Sequence, residues 1–511
     1  MTHSAKVNQV ILIILDDIRA EHLFSLIRQK KLPNIAQIAE NGIRCSNCIT
    51  SYPAITFPCY GNIMTGSYSG YFPKEGNAVP LYHWVDRMDP PATSKKPPFI
   101  RNYGDRRQVL KINSDIGKKV KTIFEQAPEG NKFSSTCFLY RGAYFTIAKK
   151  FFDVEPIFKN IENAFKNAGM YFSDKEVPVI TVGYVPHTDD LMHRLGFDHP
   201  NYLNLIVECD RYIGSLIYTL KCTGYYDSTA IGVITDHGNY KVKNIIDLEP
   251  FFQQKGLVPY IPKKGIGDFD CNFGSVGFFN FPGETWQHHP TIKQMKKFTP
   301  SISGNKDLNL FETLWEIPGV KIMYYRGDDN KPDKGIIHIE YLDNNTRKRA
   351  NGRIEYEGFG RNQKTRYTFD GNDFYKYNEN ERSAKILDNR FHTIEEWLNA
   401  TNHINFSMII DQIPRYFKNP RSCDIIISTL GDFGFNYEHG ETKGKSPFSH
   451  DIGLRESLVV PFIIGGSPEI PQIELEYCKT TDMVPTLLDL LRIKPHSSVI
   501  GKSVLNSNTN K

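Results

Sequence analysis

Five places in the chain gather side chains that can hold a metal ion or activate a hydroxyl. Asp16 ends the apolar run Gln9 to Leu15, and Thr56 stands in Ser51-Tyr-Pro-Ala-Ile-Thr-Phe-Pro-Cys59. Asp189 and His193 are four residues apart, Asp236-His237-Gly238 follows the run Thr229 to Thr235, and His450 lies in Pro447-Phe-Ser-His-Asp451. Singly, each has a plain structural role: a strand-terminal Asp caps a helix, and an i,i+4 Asp/His pair lines a solvated helix face. Together they supply three Asp, three His and one hydroxyl, nearly all directly after predicted strands. Imidazole nitrogen and carboxylate oxygen are the donors of a two-zinc site, and other divalent metals accept the same donors.

The chemistry of such a site is displacement at phosphorus. Two cations about 4 Å apart clamp the attacking and departing oxygens of an in-line transfer. A threonine hydroxyl bound to one of them loses its proton near neutral pH and becomes a nucleophile. Pro58 and the helix-like stretch Tyr60 to Met64 put Thr56 near a helix N-terminus, which favours an anionic phosphate.

These residues need strands that end where they stand. Gln9 to Leu15 (QVILIIL) is apolar on both faces, as buried parallel strands are. Val179 to Val185, Thr229 to Thr235, Ser422 to Ser428 and Ser457 to Ile464 repeat that signature. Between them, helices are predicted from Leu32 with Gly42 as C-cap, from Tyr202 to Thr223 ending at Gly224, and from Met483 to Leu491 with Pro485 in the first turn. Strands alternating with helices describe an α/β fold: a doubly wound, mostly parallel central sheet that binds ligands at the carboxyl ends of its strands. Residues 320–380 differ, being polar and Gly/Asn-rich with alternating runs such as Gly335 to Tyr341, and read as inserted antiparallel hairpins. The catalytic core is therefore expected in residues 1–255 and 385–511, with 256–384 as an inserted loop and β-hairpin cap region. Residues 71–135 and 255–310 are loop-rich and able to line the site. His288-His289 reads as a solvated loop pair.

Composition narrows the function classes. The 511 residues are 40% apolar and 23% charged, so a sizeable core forms and the chain is not a disordered one. With 62 basic and 57 acidic residues, the net charge is +5 and no basic stripe stands out, so no stable nucleic-acid partner is expected. The longest early apolar run, Val10 to Leu15, is far too short to span a bilayer, and no signal-peptide pattern opens the chain, so a cytoplasmic location is expected. Nine scattered cysteines argue against a disulfide framework. Cys45 and Cys48 form one C-x-x-C that lacks a second pair and reads as a packed turn.

The ordered set Asp16, Thr56, Asp189/His193, Asp236/His237, His450 resembles the alkaline phosphatase superfamily, in particular its nucleotide pyrophosphatase/phosphodiesterase (type I phosphodiesterase) branch. LDDIRAEHL resembles that branch's metal-binding strand end, with Asp17 in place of the usual Gly. TFPCYGNIMTGSY resembles its nucleophile motif, with Cys59-Tyr60 replacing the common Asn-His. VPHTDDLMHRLG keeps the four-residue Asp/His spacing, and VITDHGN matches the branch's DHG motif. The resemblance covers residues 7–240 and 385–505. It implies two Zn2+ per chain, one on Asp189, His193 and His450, the other on Asp16, Thr56, Asp236 and His237. It also implies turnover through a phospho-threonine intermediate on Thr56. His439, in EHGE, competes with His450 for the last ligand position, but the run from His450 through Glu456 to Val459 fits the family's spacing before its final strand better. A sulfatase reading fails because Phe433 stands where its histidine would be and no C/S-x-P-x-R motif is present.

The same comparison suggests Asn77 as an amide donor to a phosphoryl oxygen and Arg141 as a bidentate phosphate contact. Their plain readings are a turn residue after Gly76 and a surface ion pair. Tyr52, Phe57, Tyr60, Tyr140 and Tyr144 lie close in sequence to the motifs and suit a nucleobase, which favours diesters or pyrophosphates. The expected function is thus zinc-dependent hydrolysis of phosphodiester or nucleotide pyrophosphate bonds, on a phosphorylated small molecule such as a nucleotide. A phosphate monoesterase, favoured by Arg141, and an inactive phospholigand-binding relative are the alternatives; decayed enzymes lose metal ligands, and here all seven expected positions are filled.

Overall fold

A computed structural model describes residues 6–70, 75–91, 93–149, 152–302, 306–343, 345–436 and 446–506. The chain folds into two units, one of Met1–Tyr68, Leu110–Asn239 and Glu456–Lys511, the other of Ser69–Val109 and Tyr240–Arg455.

The first unit is built on a nine-stranded sheet. Its path runs Ile473–Glu474, Ile43–Ile49, Val459–Gly466, Thr229–Thr235, Gln9–Leu15, Ile180–Val185, Lys132–Ser135, Phe145–Ile147, and Cys478–Lys479 also pairs with Ile43–Ile49. Gln9–Leu15 lies parallel to both neighbours, with Leu15 opposite Val185 on one side and Thr235 on the other. Among the described pairings of this sheet, only those of Val459–Gly466 with its two neighbours are antiparallel. Val10 to Ile14 are fully buried, which is why that strand reads as an uninterrupted apolar run. The helices Pro33–Glu40, Glu155–Lys166, Pro200–Cys222 and Met483–Leu490 accompany it. Asn41, not Gly42, caps Pro33–Glu40. Gly42 is required for another reason: a Cβ there would sit 2.1 Å from the Ile464 carbonyl oxygen.

The second unit carries an eight-stranded sheet, antiparallel throughout. Its order is Asp270–Phe273, Val276–Asn280, Ile425–Ser428, Ile322–Arg326, Lys334–Leu342, Arg349–Glu357, Lys364–Phe369, His392–Thr393. The hairpins expected over 320–380 are its middle. Phe279, Met323, Ile425 and Ile427 pack with Phe252, Leu310, Phe311 and Leu314 into one apolar core.

The expected boundaries differ from this division. Residues 385–455 and 240–255, assigned above to the catalytic core, group with the second unit, as do 69–109. The difference has a physical cause. Ile425–Ser428 is buried at every position and central in its sheet, and a continuous apolar run marks a strand buried on both faces without saying which direction its neighbours take. His289 is also not solvated: its Nδ1 lies 2.5 Å from Asp424 Oδ1, and Asp424 Oδ2 accepts a 2.7 Å bond from Arg87.

Candidate active site

Three strand ends and two helix starts of the first unit converge. Asp16 follows Gln9–Leu15, and its amide donates to the Val185 carbonyl at 3.0 Å. Asp236 and His237 follow Thr229–Thr235, and the next helix after Ile180–Val185 is His187–Leu195, which presents Asp189 and His193 one turn apart. His193 Nε2 lies 3.2 Å from Asp189 Oδ1. Thr56 is the first residue of the helix Thr56–Thr65, where Pro58 sits in the first turn without forfeiting a hydrogen bond and Gly66, at φ +65°, closes the helix. The other nine residues of that helix are buried, so its first turn cannot swing.

Distances define what meets. Thr56 Oγ1 is 3.1 Å from His237 Nε2, which is 3.6 Å from Asp16 Oδ1 and 3.7 Å from Asp236 Oδ2. Asp16, Asp189 and His237 each offer a ligand atom within 4.8 Å of the other two, an arrangement that can hold a metal ion. Asp16 Oδ1 and Asp236 Oδ2 are buried and have no hydrogen-bond partner among the described residues. Buried carboxylate oxygens without donors are costly unless a cation compensates them, so the donor set fits one.

Electrostatics agrees with that deficit of positive charge. Burial, then the Asp236 and Asp189 charges, push the Asp16 carboxyl well above the usual range. Burial also raises Asp236. Burial alone would lower the His237 imidazole, but Asp236 and Asp17 outweigh it and hold the ring up at about 9. Like charges crowded in a low-dielectric site shift one another in this way.

Sequence reasoning missed several supporting groups. Tyr184 donates its hydroxyl to Asp16 Oδ2, Thr50 donates to the Asp236 carbonyl at 2.5 Å, and Asn239 donates to Asp17 Oδ1 at 2.8 Å. The one available signal was a tyrosine next to the C-terminal end of the strand Ile180–Val185.

Other expected site residues fare differently. Arg141 is a loop clamp: its guanidinium donates to Glu125 Oε2 at 3.0 Å, to the Ile116 carbonyl at 2.8 Å, to Gly117 at 3.3 Å and to Val120. Four of its five N–H groups are thereby committed to the loop, the ion-pair role of its plain reading. Asn77, in the second unit, is fully buried, and its Oδ1 accepts the Val79 amide at 3.1 Å, the turn role. His450 is also in the second unit, one residue after Phe448–Ser449, a strand whose Ser449 pairs with Tyr240, three positions beyond His237 in the chain. His439 lies outside the described residues. Of the aromatics, Tyr60 is core material packed on Tyr184 at 4.9 Å, and Tyr144 is two-thirds exposed beside Phe172.

An α/β unit with a mostly parallel sheet, carrying Asp and His at its strand ends beside a helix-initiating threonine, is the class that fold and site define. Residues 10–298 match the family described as type I phosphodiesterase / nucleotide pyrophosphatase, and the chain belongs to that family. It is 26% identical over 333 residues to an uncharacterised pyrophosphatase/phosphodiesterase of Schizosaccharomyces pombe, covering 61% of this chain and 63% of that one. It is 24% identical over 264 residues to ectonucleotide pyrophosphatase/phosphodiesterase family member 7 of Mus musculus, covering 46% and 55%. The match thus spans less than two thirds of either relative's length. Murine ectonucleotide pyrophosphatase/phosphodiesterase 5, in an inactive threonine-to-alanine form in complex with AMP, shares the fold at TM-score 0.54 and 13% identity over 96% of each chain. Among the described residues, no helix is long and apolar enough to cross a membrane.

Proposed function

We propose that the protein hydrolyses phosphodiester or nucleotide pyrophosphate bonds through a phospho-threonine on Thr56. The observation that carries this reading is Thr56 Oγ1 at a buried helix N-terminus, 3.1 Å from His237 in a cluster of donor-starved carboxylates. Asp16, Thr56, Asp236 and His237 would hold one divalent cation, and Asp189, His193 and His450 a second, zinc by the chemistry of the donors. Bound there, the cations supply positive charge to the attacking, leaving and non-bridging oxygens.

The chain's own residues do the rest. The fixed helix aims Thr56 Oγ at phosphorus, and the helix N-terminus favours the phosphoryl group. Thr56 Oγ forms a bond to phosphorus as the bond to the departing alcohol or phosphate breaks, and water then attacks the phosphothreonine to release phosphate or its monoester. Tyr184 holds Asp16 by its Oδ2, leaving Oδ1 turned to the cluster.

Commitment of Arg141 to loop carbonyls removes the cation on which the monoesterase alternative rested, and so supports diesters. AMP in the murine neighbour, and the loss of activity noted with its threonine replacement, fit a nucleotide substrate and a threonine nucleophile here. All nine cysteines are free and eight are buried, which supports a reducing, cytoplasmic setting. A substrate panel tests the function: bis(p-nitrophenyl) phosphate, p-nitrophenyl phosphate, nucleoside triphosphates and dinucleotides, each with added zinc. Higher kcat/KM on the diester or on a nucleotide than on p-nitrophenyl phosphate is expected; a clear preference for the monoester overturns the reading.

A further inference from the structure

Asp17 occupies a backbone position that its own residue type does not favour. Its φ is +56°, in the left-handed region where glycine is unstrained and other residues incur a cost. It is completely buried, and its Oδ2 has no hydrogen-bond partner among the described residues. A glycine here would relieve the strain and remove a buried charge. Beyond the Asn239 bond to Oδ1, stability of the fold gives no reason for the carboxylate, so its other contacts must.

Those contacts lead to His237. Asp17 Oδ1 lies 3.6 Å from His237 Nδ1, while Nε2, on the opposite side of the ring, faces Thr56 Oγ1 at 3.1 Å and Asp16 Oδ1 at 3.6 Å. The Gly238 carbonyl lies 3.2 Å from the same Nδ1. The Gly238 carbonyl is the acceptor for Nδ1–H, and the Asp17 charge beside it favours a proton on Nδ1, so that a cation in the cluster would meet Nε2. Asp17 is itself held tightly. Its amide donates to Asp236 Oδ1 at 3.2 Å, its carbonyl accepts from Tyr202 Oη at 2.8 Å, and Asn239 Nδ2 bonds both its Oδ1 and its carbonyl.

We propose that Asp17 is a positioning residue: it fixes the tautomer and orientation of His237 so that Nε2 is presented to the metal, and adds negative charge that strengthens cation binding. The inference rests on reading the cluster as a metal-dependent phosphodiesterase site. Outer carboxylates of this kind change metal affinity by roughly 10–100-fold when removed.

The test uses the full chain stripped with a chelator, titrated with zinc chloride against a chromogenic competitor, and separately 15N spectra of the His237 ring taken above about pH 9, where the metal-free ring is neutral. Asp17→Gly suits the backbone, so its thermal midpoint in the metal-free state should stay level or rise while zinc affinity falls by about tenfold or more. Asp17→Asn also tolerates the left-handed region and keeps an acceptor for Nδ1–H, so it should fall between wild type and Asp17→Gly in affinity and retain the Nδ1-protonated ring. Wild-type zinc affinity in both variants, or an unchanged His237 tautomer in Asp17→Gly, overturns the proposal. Because affinity and tautomer are read without turnover, a chain inactive on every phosphodiester would sink the functional reading and leave this one standing or falling on its own.

Discussion

Thr56 Oγ1 and His237 Nε2, 181 residues apart in the chain, meet at 3.1 Å. The contact joins the first residue of one buried helix to the second residue beyond the end of a central strand, two elements that cannot shift without disturbing the core. A nucleophile held this way would need little reorganisation before attack, and pre-paid orientation is among the largest contributions a site can make to rate. The same rigidity separates the chemistry of Thr56 from the stability of the fold, and that separation can be measured.

Thr56→Ala should abolish phosphoryl transfer, by about a thousandfold or more, since no other group on the helix can replace the bond to phosphorus. Stability should change by less than about 1 kcal/mol, because a half-buried hydroxyl at a helix start contributes little to packing. Zinc content by mass spectrometry should remain near wild type, three protein ligands being left around that ion. Near-wild-type turnover in the variant would end the covalent mechanism.

Asp236→Asn separates metal binding from folding. Asp236 Oδ1 accepts the Asp17 and His237 amides at 3.2 and 3.0 Å, and asparagine can keep both, whereas Oδ2 is buried without a hydrogen-bond donor among the described residues, 3.7 Å from His237 Nε2. The metal-free chain should therefore be as stable as wild type, or more so by about 1 kcal/mol, while the zinc-induced rise in thermal midpoint shrinks as one of the two ions is lost. Paired melting curves with and without zinc decide it; an undiminished zinc shift would remove Asp236 from the ligand set.

Much of this site was legible in the sequence because the groups that matter stand at the ends of apolar runs. Gln9–Leu15 and Thr229–Thr235 have the ends their compositions suggest, and the acidic residues beyond them fall where an α/β sheet binds ligands. Other features leave no comparable mark. The carbonyls of Ile116, Gly117 and Val120 that engage Arg141 are backbone groups, which any residue types would supply. Tyr184 reads as one more apolar strand residue until its hydroxyl is seen on Asp16. The antiparallel neighbours of Ile425–Ser428 were hidden because burial on both faces erases the alternation that would have revealed them.

Arg141→Ala should act on the fold and not on substrate. It removes four hydrogen bonds and leaves the carbonyls of the 116–120 loop without that donor, while Glu125 keeps the Thr122 amide and Lys121, at a cost of about 2–4 kcal/mol. The kcat/KM of the folded fraction on bis(p-nitrophenyl) phosphate should stay within about threefold of wild type, well under the 1.4 kcal/mol that a tenfold change represents. A large loss of kcat/KM with unchanged urea midpoint would restore the phosphate contact.

His450 and His439 can be told apart directly. If His450 is the remaining ligand beside Asp189 and His193, His450→Ala should release about one zinc per chain and lower the rate by orders of magnitude, since each protein ligand sets affinity. His439→Ala should be mild in both measurements. The reverse pattern would move the ligand into the 431–440 segment.

The last prediction concerns pH and lies away from the site. Glu162, on Glu155–Lys166, accepts Ser215 Oγ at 2.7 Å, Thr219 Oγ1 at 3.1 Å and Lys166 Nζ at 2.7 Å, two of them from the neighbouring Pro200–Cys222 helix. Burial alone would raise its carboxyl, but these donors outweigh burial and hold it below the ordinary 4.5. A carboxylate whose folded value is depressed binds its proton more readily unfolded, so its stabilisation is complete above the unfolded value and is lost as pH falls through the folded one. Glu162→Gln should therefore cost about 1–2 kcal/mol at pH 7. The gap to wild type should narrow steadily below pH 4.5, because the wild-type side chain becomes neutral as well. Urea midpoints for both proteins from pH 7 to the lowest pH at which they stay folded would check the trend, and a gap that widens toward acid would show that the helix pair is not held by the charge on Glu162.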